Sequence, residues 1–244
     1  PADFIYDNLM IQTNLIQSSY KNKIQKLLFL GSSCIYPKNI KQPMKEEDLL
    51  SSKLEETNEA YAIAKIAGLK MCEYYNKQFN TDFRAVMPTN LFGPEDNYHP
   101  ENSHVIPGII NKIYSAKKKN SKSVTLWGTG KPLREFLYVE DMAKGCLKII
   151  NLSKKKYNLI TDVGSRFVNL GSGKEISIKD LSYLIANIMG YKGLILFDTK
   201  MPDGNMRKLL DVSRISDIGF RPNFSLKKGL EKTIKQYICK KNSF

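Results

Sequence analysis

Apolar positions between Phe4 and Ser19 recur at helical spacing through Ile5, Leu9 and Ile16, which predicts a helix. The run Lys26-Leu-Leu-Phe-Leu30 is short, continuously apolar and stopped by Gly31, the pattern of a buried parallel strand. A polar loop, Ser32-Ser-Cys-Ile-Tyr-Pro37, follows, and residues from Lys41 to Glu59 read mostly as loop. A second helix is predicted over Glu59 to Phe79, with Thr57 or Asn58 as its cap. Its first half, Tyr61 to Leu69, is apolar nearly all round and holds one lysine, so it should be buried on more than one side. Phe83 to Met87 reads as a second strand, stopped by Pro88, and Thr89-Asn-Leu-Phe-Gly-Pro94 as its turn-rich exit.

The texture changes near Ser103. A helix is predicted from Val105 to Tyr114 with Ile106, Ile109, Ile110 and Ile113 on one side. Val124 to Trp127 reads as a strand, Gly128-Thr-Gly-Lys-Pro132 as a turn, and Glu135 to Val139 as a short strand leading into a helix that ends near Asn151. Phe167 to Leu170 is strand-like and runs into Gly171-Ser-Gly173. Ser177 with Asp180 forms a capping-box-like start to a helix ending at Gly190. A strand at Leu194 to Phe197 and a helix from Leu226 to Cys239, with Leu230, Ile234 and Ile238 on one face, complete the set.

Strand, loop, helix, strand, loop is the βαβ unit of a parallel sheet, so the fold class is α/β. Ligands of such sheets bind beyond the C-terminal ends of the strands, where the loops 32–37 and 88–94 fall.

Composition narrows the classes. With 42% hydrophobic and 25% charged residues the chain is globular rather than disordered. No apolar run approaches the ~20 residues of a membrane span, and no secretory signal pattern opens the chain. Cys34, Cys72, Cys146 and Cys239 are scattered without a C-x-x-C pair, which suits thiols in a reducing cytoplasm and no metal site. The net charge of +14 raises the question of an anionic partner. Only Arg84, Arg134, Arg166, Arg207, Arg214 and Arg221 are arginine, whereas nucleic-acid readers lean on that residue; the excess is a lysine-rich solvated surface, and no nucleic-acid partner is expected.

Tyr61-x-x-x-Lys65 places both side chains on one helix face. An ammonium near the phenol lowers its pKa from about 10, so that tyrosine can pass a proton near neutrality. Burying the one lysine of an apolar helix needs such a reason. Ser32 and Ser33, after the strand ending at Gly31, can bond the same substrate oxygen.

Phe29-Leu-Gly-Ser-Ser-Cys-Ile-Tyr-Pro37, Asn58-Glu-Ala-Tyr-Ala-Ile-Ala-Lys65 and Val86-Met-Pro-Thr-Asn-Leu-Phe-Gly-Pro94 resemble the extended short-chain dehydrogenase/reductases. Segments 96–107, Trp127-Gly-Thr-Gly-Lys-Pro-Leu-Arg-Glu-Phe136 and Lys200-Met-Pro-Asp-Gly-Asn-Met-Arg-Lys-Leu-Leu-Asp211 are similar to the GDP-L-fucose synthase branch of that family. The resemblance implies a Rossmann-like doubly wound parallel sheet with a smaller α/β substrate-binding lobe. It implies NADPH as cofactor, a GDP-sugar as substrate, and 3,5-epimerisation followed by 4-reduction of GDP-4-keto-6-deoxy-D-mannose. Ser32, Tyr61 and Lys65 would be the reductase triad, and Cys34 and His104 the acid and base of the epimerisations, in an order left open. Thiols and imidazoles titrate within reach of neutrality, which suits that task. Leu30, Gly31, Ser32, Ser33, Lys65, Pro88, Thr89, Asn90, Leu91 and His104 would border the cofactor. Lys112 and Arg134 would face the diphosphate, Trp127 would offer an apolar surface, and Asp203 would accept from a hydroxyl. The resemblance also implies a homodimer through the helices near 4–19 and 59–79.

The expected domains are 1–102 with 135–172 returning to it, and 103–134 with 173–244 as the substrate lobe. A glycine-rich turn after a first strand, which cradles a cofactor pyrophosphate, is not among these motifs: Gly128-Thr-Gly130 and Gly171-Ser-Gly173 do not open a helix after a first strand. The chain starts at Pro1, just ahead of a helix, and is read as a domain truncated at its N-terminus that binds NADPH poorly or not at all and is not expected to turn over by itself. Another epimerase or dehydratase of this fold, or a non-catalytic nucleotide-sugar-binding fragment, shares much of the same pattern.

Overall fold

The computed structural model describes residues 1–100, 102–162 and 164–242. In chain order its first elements are α1 (Ala2–Lys21), β1 (Lys26–Leu30), α2 (Glu59–Phe79), β2 (Asp82–Pro88), β3 (Asn90–Phe92), α3 (Val105–Lys118), β4 (Ser123–Trp127), β5 (Leu133–Tyr138) and α4 (Val139–Asn151). These are followed by α5 (Lys154–Ile160), β6 (Val168–Leu170), β7 (Glu175–Ser177), α6 (Ile178–Met189), β8 (Leu194–Asp198), β9 (Arg207–Lys208), α7 (Ser213–Asp217) and α8 (Leu226–Asn242).

The chain divides into two compact units, Pro1–Thr89 with Met142–Gly173 and Leu210–Arg221, and Asn90–Asp141 with Lys174–Leu209 and Pro222–Phe244. The expected boundaries shift in three places. Residues 90–102 join the second unit because β3 pairs with β5, in register from Asn90 opposite Phe136 to Phe92 opposite Tyr138. The segment from 90 on is therefore a strand rather than only a turn-rich exit. β5 itself lies in the second unit, while most of α4 belongs to the first. Residues 210–221 join the first unit, where Leu210 bridges Met44 in parallel fashion.

The first unit is built on a parallel sheet in the order β1-β2-β6. Leu30 stands opposite Val86, and Pro88 opposite Leu170, so all three strands end on one side. β1 differs from its prediction as a buried strand: Phe29 is buried but Leu30 is 47% exposed, since β1 pairs only with β2 among the described residues. The core gathers Ile16, Phe29, Ile35, Leu69, Phe83, Met87, Phe167 and Leu210. α2 crosses α1 and β1 closely at Gly68. A Cβ there would stand 2.6 Å from the Phe29 ring and 2.8 Å from the buried Gln12 side chain. Asn58 occupies the N-cap of α2 but forms no side-chain capping bond; a 3-10 turn at Glu56–Asn58 leads the chain in instead. α5 escaped the periodicity because it starts in three lysines. Ser153 caps it by accepting from the Lys156 N–H at 3.2 Å, and Tyr157 anchors it at 2% exposure.

The second unit carries a mixed sheet, β3-β5-β7 with β9 beside β5, and a separate parallel pair, β4-β8. Its core unites the Ile106, Ile110 and Ile113 face of α3 with Leu181 and Ile185 of α6 and Leu230 and Ile234 of α8. α6 is bounded as its sequence predicts: Ser177 accepts from the Asp180 N–H at 2.9 Å, and Gly190 takes a left-handed conformation at φ +62°.

Two buried charges in the first unit were not anticipated. Arg84 is fully buried on β2. It pairs with Asp82 at 2.7 Å and donates to the carbonyls of Ile149, Ile150 and Leu152, satisfying the C-terminal end of α4. Glu46, 2% exposed, accepts from the Asn169 backbone N–H at 2.8 Å and faces the Arg214 guanidinium at 3.5 Å. Burial pushes its carboxyl up to about 7, against the Asn169 bond and Arg214, while Glu47 adds to the rise.

Arg84→Met should destabilise the chain by about 3–5 kcal/mol, because it strands Asp82 and the helix-end carbonyls; chemical denaturation measures it, and a loss below about 1 kcal/mol would refute this account. Glu46 binds its proton more tightly folded than unfolded, so its contribution is complete below its ordinary value of 4.5 and disappears as pH rises through about 7. Wild type should therefore lose up to about 3 kcal/mol more than Glu46→Gln between pH 4.5 and 8, and parallel pH–stability curves would contradict this.

Candidate functional site

In the first unit the ends of the parallel strands carry the predicted chemistry. Directly after β1, Ser32 adopts an extended backbone and its Oγ accepts the Cys34 N–H at 3.2 Å, opening a 3-10 turn over Ser33–Ile35. Accepting there leaves the Ser32 hydroxyl proton for another oxygen, and the Ser32 hydroxyl acts on the Tyr61 phenol, drawing its pKa down. Tyr61 and Lys65 share one face of α2, as their spacing predicts; the Lys65 Nζ lies 5.6 Å from the centre of the Tyr61 ring and 5.2 Å from that of Phe29. Cys34 is half-buried close by, and none of the four cysteines is in a disulfide.

The expected tuning of Tyr61 is corrected. Lys65 does not pull the phenol down; burial pushes it above its ordinary value, the Cys34 sulfur adds to the rise, and only the Ser32 bond opposes it. The reason is geometric: the Lys65 ammonium rests over the two rings and donates to the Leu30 carbonyl at 3.2 Å. Burial in turn lowers the Lys65 pKa. In this state Tyr61 is a protonated phenol, suited to giving a proton rather than taking one.

Of the other residues expected along the cofactor, Gly31, Ser33, Pro88 and Thr89 cluster at the same strand ends. The Gly31 N–H donates to the Val86 carbonyl at 2.9 Å, and the Thr89 N–H to the Leu170 carbonyl at 3.1 Å. Asn90 and Leu91 belong to the second unit, where β3 engages β5 and the Asn90 amide donates to the Glu135 carbonyl at 2.9 Å. This donor set, a lysine ammonium with serine and threonine hydroxyls at parallel strand ends, fits the nicotinamide-ribose end of a dinucleotide. A pyrophosphate cradle is not built from the described residues: Gly171 and Gly173 lead into β7, and Gly128 and Gly130 form a turn between β4 and β5.

The second unit holds a pocket of about 230 Å³ lined by His104, Lys112, Trp127, Arg134 and Asp203, together with Ser103, Pro132 and Ile178. All four predicted substrate residues thus face one cavity, joined by His104. The segment before α3 is held by its own side chains: the Asn97 amide donates to the Asn102 carbonyl at 3.1 Å and Asn111 to that of Tyr98 at 3.0 Å. This places an exposed His104 at the N-cap of α3. Glu101 of this motif lies outside the described residues. The Lys112 Nζ lies 4.8 Å from the Trp127 ring centre, and burial lowers its pKa. Burial lowers the Arg134 pKa as well, against the charge of Asp203. Two desolvated cations facing one cavity favour an anionic occupant.

Asp203 has an additional role. Its two carboxylate oxygens accept from the Thr129 N–H and hydroxyl, each at 2.7 Å, which lowers its pKa and locks the 128–130 turn. Gly128 at φ +80° permits this approach, since a Cβ there would stand 2.3 Å from the Asp203 oxygen. Thr129 and the pocket wall Ile178 were missed, because nothing local marks residues that meet only through the fold. Glu46 and Asn169 were missed likewise; a lone acidic residue in a polar loop gives no signal of burial.

Among the described residues no cluster of metal-ligating side chains occurs, and no helix is long and apolar enough to cross a membrane.

Residues 1–164 match the model of the "NAD dependent epimerase/dehydratase family". The chain is 48% identical, over its whole length and 76% of the relative's, to GDP-L-fucose synthase of Escherichia coli. It is 50% identical, over 98% of its length and 70% of the relative's, to the putative GDP-L-fucose synthase 2 of Arabidopsis thaliana. Among solved structures it is similar to MlghC, a GDP-mannoheptose C4 reductase from Campylobacter jejuni with NADP bound, at a TM-score of 0.88 and 36% identity over 97% of this chain and 75% of that one. Strand order, site chemistry and sequence therefore agree that this chain belongs to the NAD dependent epimerase/dehydratase family, with the Rossmann-type α/β fold of its structural relatives.

Proposed function

We propose that the chain performs the chemistry of a GDP-L-fucose synthase, the NADPH-dependent 3,5-epimerisation and 4-reduction of GDP-4-keto-6-deoxy-D-mannose. The observation that carries this reading is the Ser32–Tyr61 hydroxyl pair, with Cys34 beside it and Lys65 on the same helix face. NADPH, when bound, supplies the hydride to C4 of the sugar. Tyr61, a protonated phenol at neutral pH, donates its proton to the C4 oxygen. Ser32 donates to the same oxygen, with its acceptor lone pair held by the Cys34 N–H. Lys65, over the Tyr61 and Phe29 rings, orients the nicotinamide ribose through its hydroxyls.

The preceding epimerisations need a base that removes the C3 or C5 proton, made acidic by the C4 ketone, and an acid that returns one to the opposite face of the enolate. Cys34 and His104 are assigned to this pair, without a commitment as to which serves first. Lys112 and Arg134 hold the diphosphate in the second-unit pocket, Trp127 supplies an apolar wall, and Asp203 accepts from a hydroxyl with the lone pairs that Thr129 leaves unused. The chain is assigned to the cytoplasm and to a homodimer. α1 supports the dimer, for it exposes Phe4, Tyr6, Met10, Ile11 and Leu15 along most of its length.

Supplied with NADPH in large excess, because the described residues build no pyrophosphate cradle, and with the keto sugar nucleotide, the chain should yield the reduced L-sugar. Tyr61→Phe should lower kcat by about 10²–10⁴-fold. Cys34→Ala should abolish solvent deuterium incorporation at C3 or C5. Water loss from GDP-mannose, or turnover indifferent to Tyr61, would overturn the assignment. For assembly, light scattering should give a dimer for wild type and a monomer for Ile11→Lys/Leu15→Lys; a wild-type monomer would sink that part.

A further inference from the structure

Between Ser32 and Pro37 the chain is neither strand nor regular helix, yet it carries two groups whose chemistry depends on placement. Its internal hydrogen bonds are local: the Cys34 N–H reaches the Ser32 Oγ, and the Ile35 N–H reaches the Ser32 carbonyl at 3.2 Å. A longer connection starts at Tyr36, two positions after Cys34 and 3% exposed. Its hydroxyl donates to the Asn169 Oδ1 at 2.6 Å.

Asn169, on β6, is fully buried and uses every polar group of its side chain. Its Nδ2 donates to the Met44 carbonyl at 3.0 Å and to the Asp211 carbonyl at 3.1 Å. Its backbone N–H is given to Glu46, whose carboxylate takes the place that a neighbouring strand's carbonyl would fill beside β6. Glu46 is held in turn by Arg214, which also donates to the Ser165 carbonyl at 2.8 Å and to the Phe167 carbonyl at 3.3 Å. A buried set of this kind is rigid because each member is satisfied only in one arrangement. Burial raises the pKa of both Tyr36 and Glu46, as expected of groups shut away from water.

We infer that Tyr36 and Glu46 are positioning residues: through Asn169 they lock the Ser32–Cys34 segment to β6 of the first unit's parallel sheet and so set the placement of both functional groups. This inference rests on the activity proposed above for Ser32 and Cys34, but the lock itself can be measured without turnover.

The test compares wild type with Tyr36→Phe and Glu46→Gln, conservative changes that keep the packing volume. Each intact protein is pulsed with iodoacetamide, and the modification rate is read cysteine by cysteine by mass spectrometry. The Cys34 rate should change at least threefold in both variants. Cys239, exposed at the far end of the chain, should keep its rate, and Cys72, 2% exposed, should stay unmodified and so certify that the fold persists. Steady-state kinetics on the same samples should show kcat reduced about tenfold with KM within twofold. Unchanged Cys34 reactivity in both variants, with Cys72 still protected, would overturn the inference. A shifted Cys34 rate in a chain whose wild type turns nothing over would sustain the lock and sink the proposed activity instead.

Discussion

Parallel pairing is the constraint on which the first unit depends. Because β1, β2 and β6 run the same way, with Leu30 opposite Val86 and Pro88 opposite Leu170, their carboxyl ends fall along one edge. Everything chemically notable in that unit follows from the edge. Gly31 and Ser32 leave β1 there, Thr89 leaves β2 there, and α2 returns close enough for Lys65 to bond the Leu30 carbonyl. An antiparallel arrangement would scatter these groups to opposite ends of the sheet.

Much of this was legible in the sequence, because hydrophobic periodicity reports burial directly. β1 and α2 fall on the predicted bounds, and the Ile106–Ile113 stripe of α3 faces the core as its spacing requires. Elements whose stability comes from partners distant in sequence were not legible. β3 and β7 are three residues each and exist because β5 supplies their hydrogen bonds; α5 is anchored by the buried Tyr157, whose hydroxyl accepts from the Ala85 N–H on β2. The site shows the same division. The spacing of Tyr61 and Lys65 on one helix face was readable, whereas the sign of the tyrosine's pKa shift was not. It depends first on how deeply the phenol is buried, which only the fold decides, and the Lys65 ammonium rests over the Phe29 and Tyr61 rings while donating to the Leu30 carbonyl.

Buried charge is used structurally as well as chemically. Arg84 closes the end of α4, and Arg214 gathers Glu46 with the backbone before β6. Both are arginines in a chain whose positive charge is mostly lysine, consistent with the planar fork that lets one guanidinium serve several carbonyls at once. The lysines, by contrast, remain largely at the surface and contribute solubility more than architecture.

Trp127 is the one tryptophan of the chain, and it stands half-exposed in the second-unit pocket with the Lys112 ammonium 4.8 Å from its ring centre. Its indole emission therefore reports on one unit and on one cavity of that unit. A charge that enters the cavity, or draws Lys112 away, changes the electrostatic field at the chain's one tryptophan ring. The fold thus carries a built-in optical label at the place where an anionic ligand would arrive.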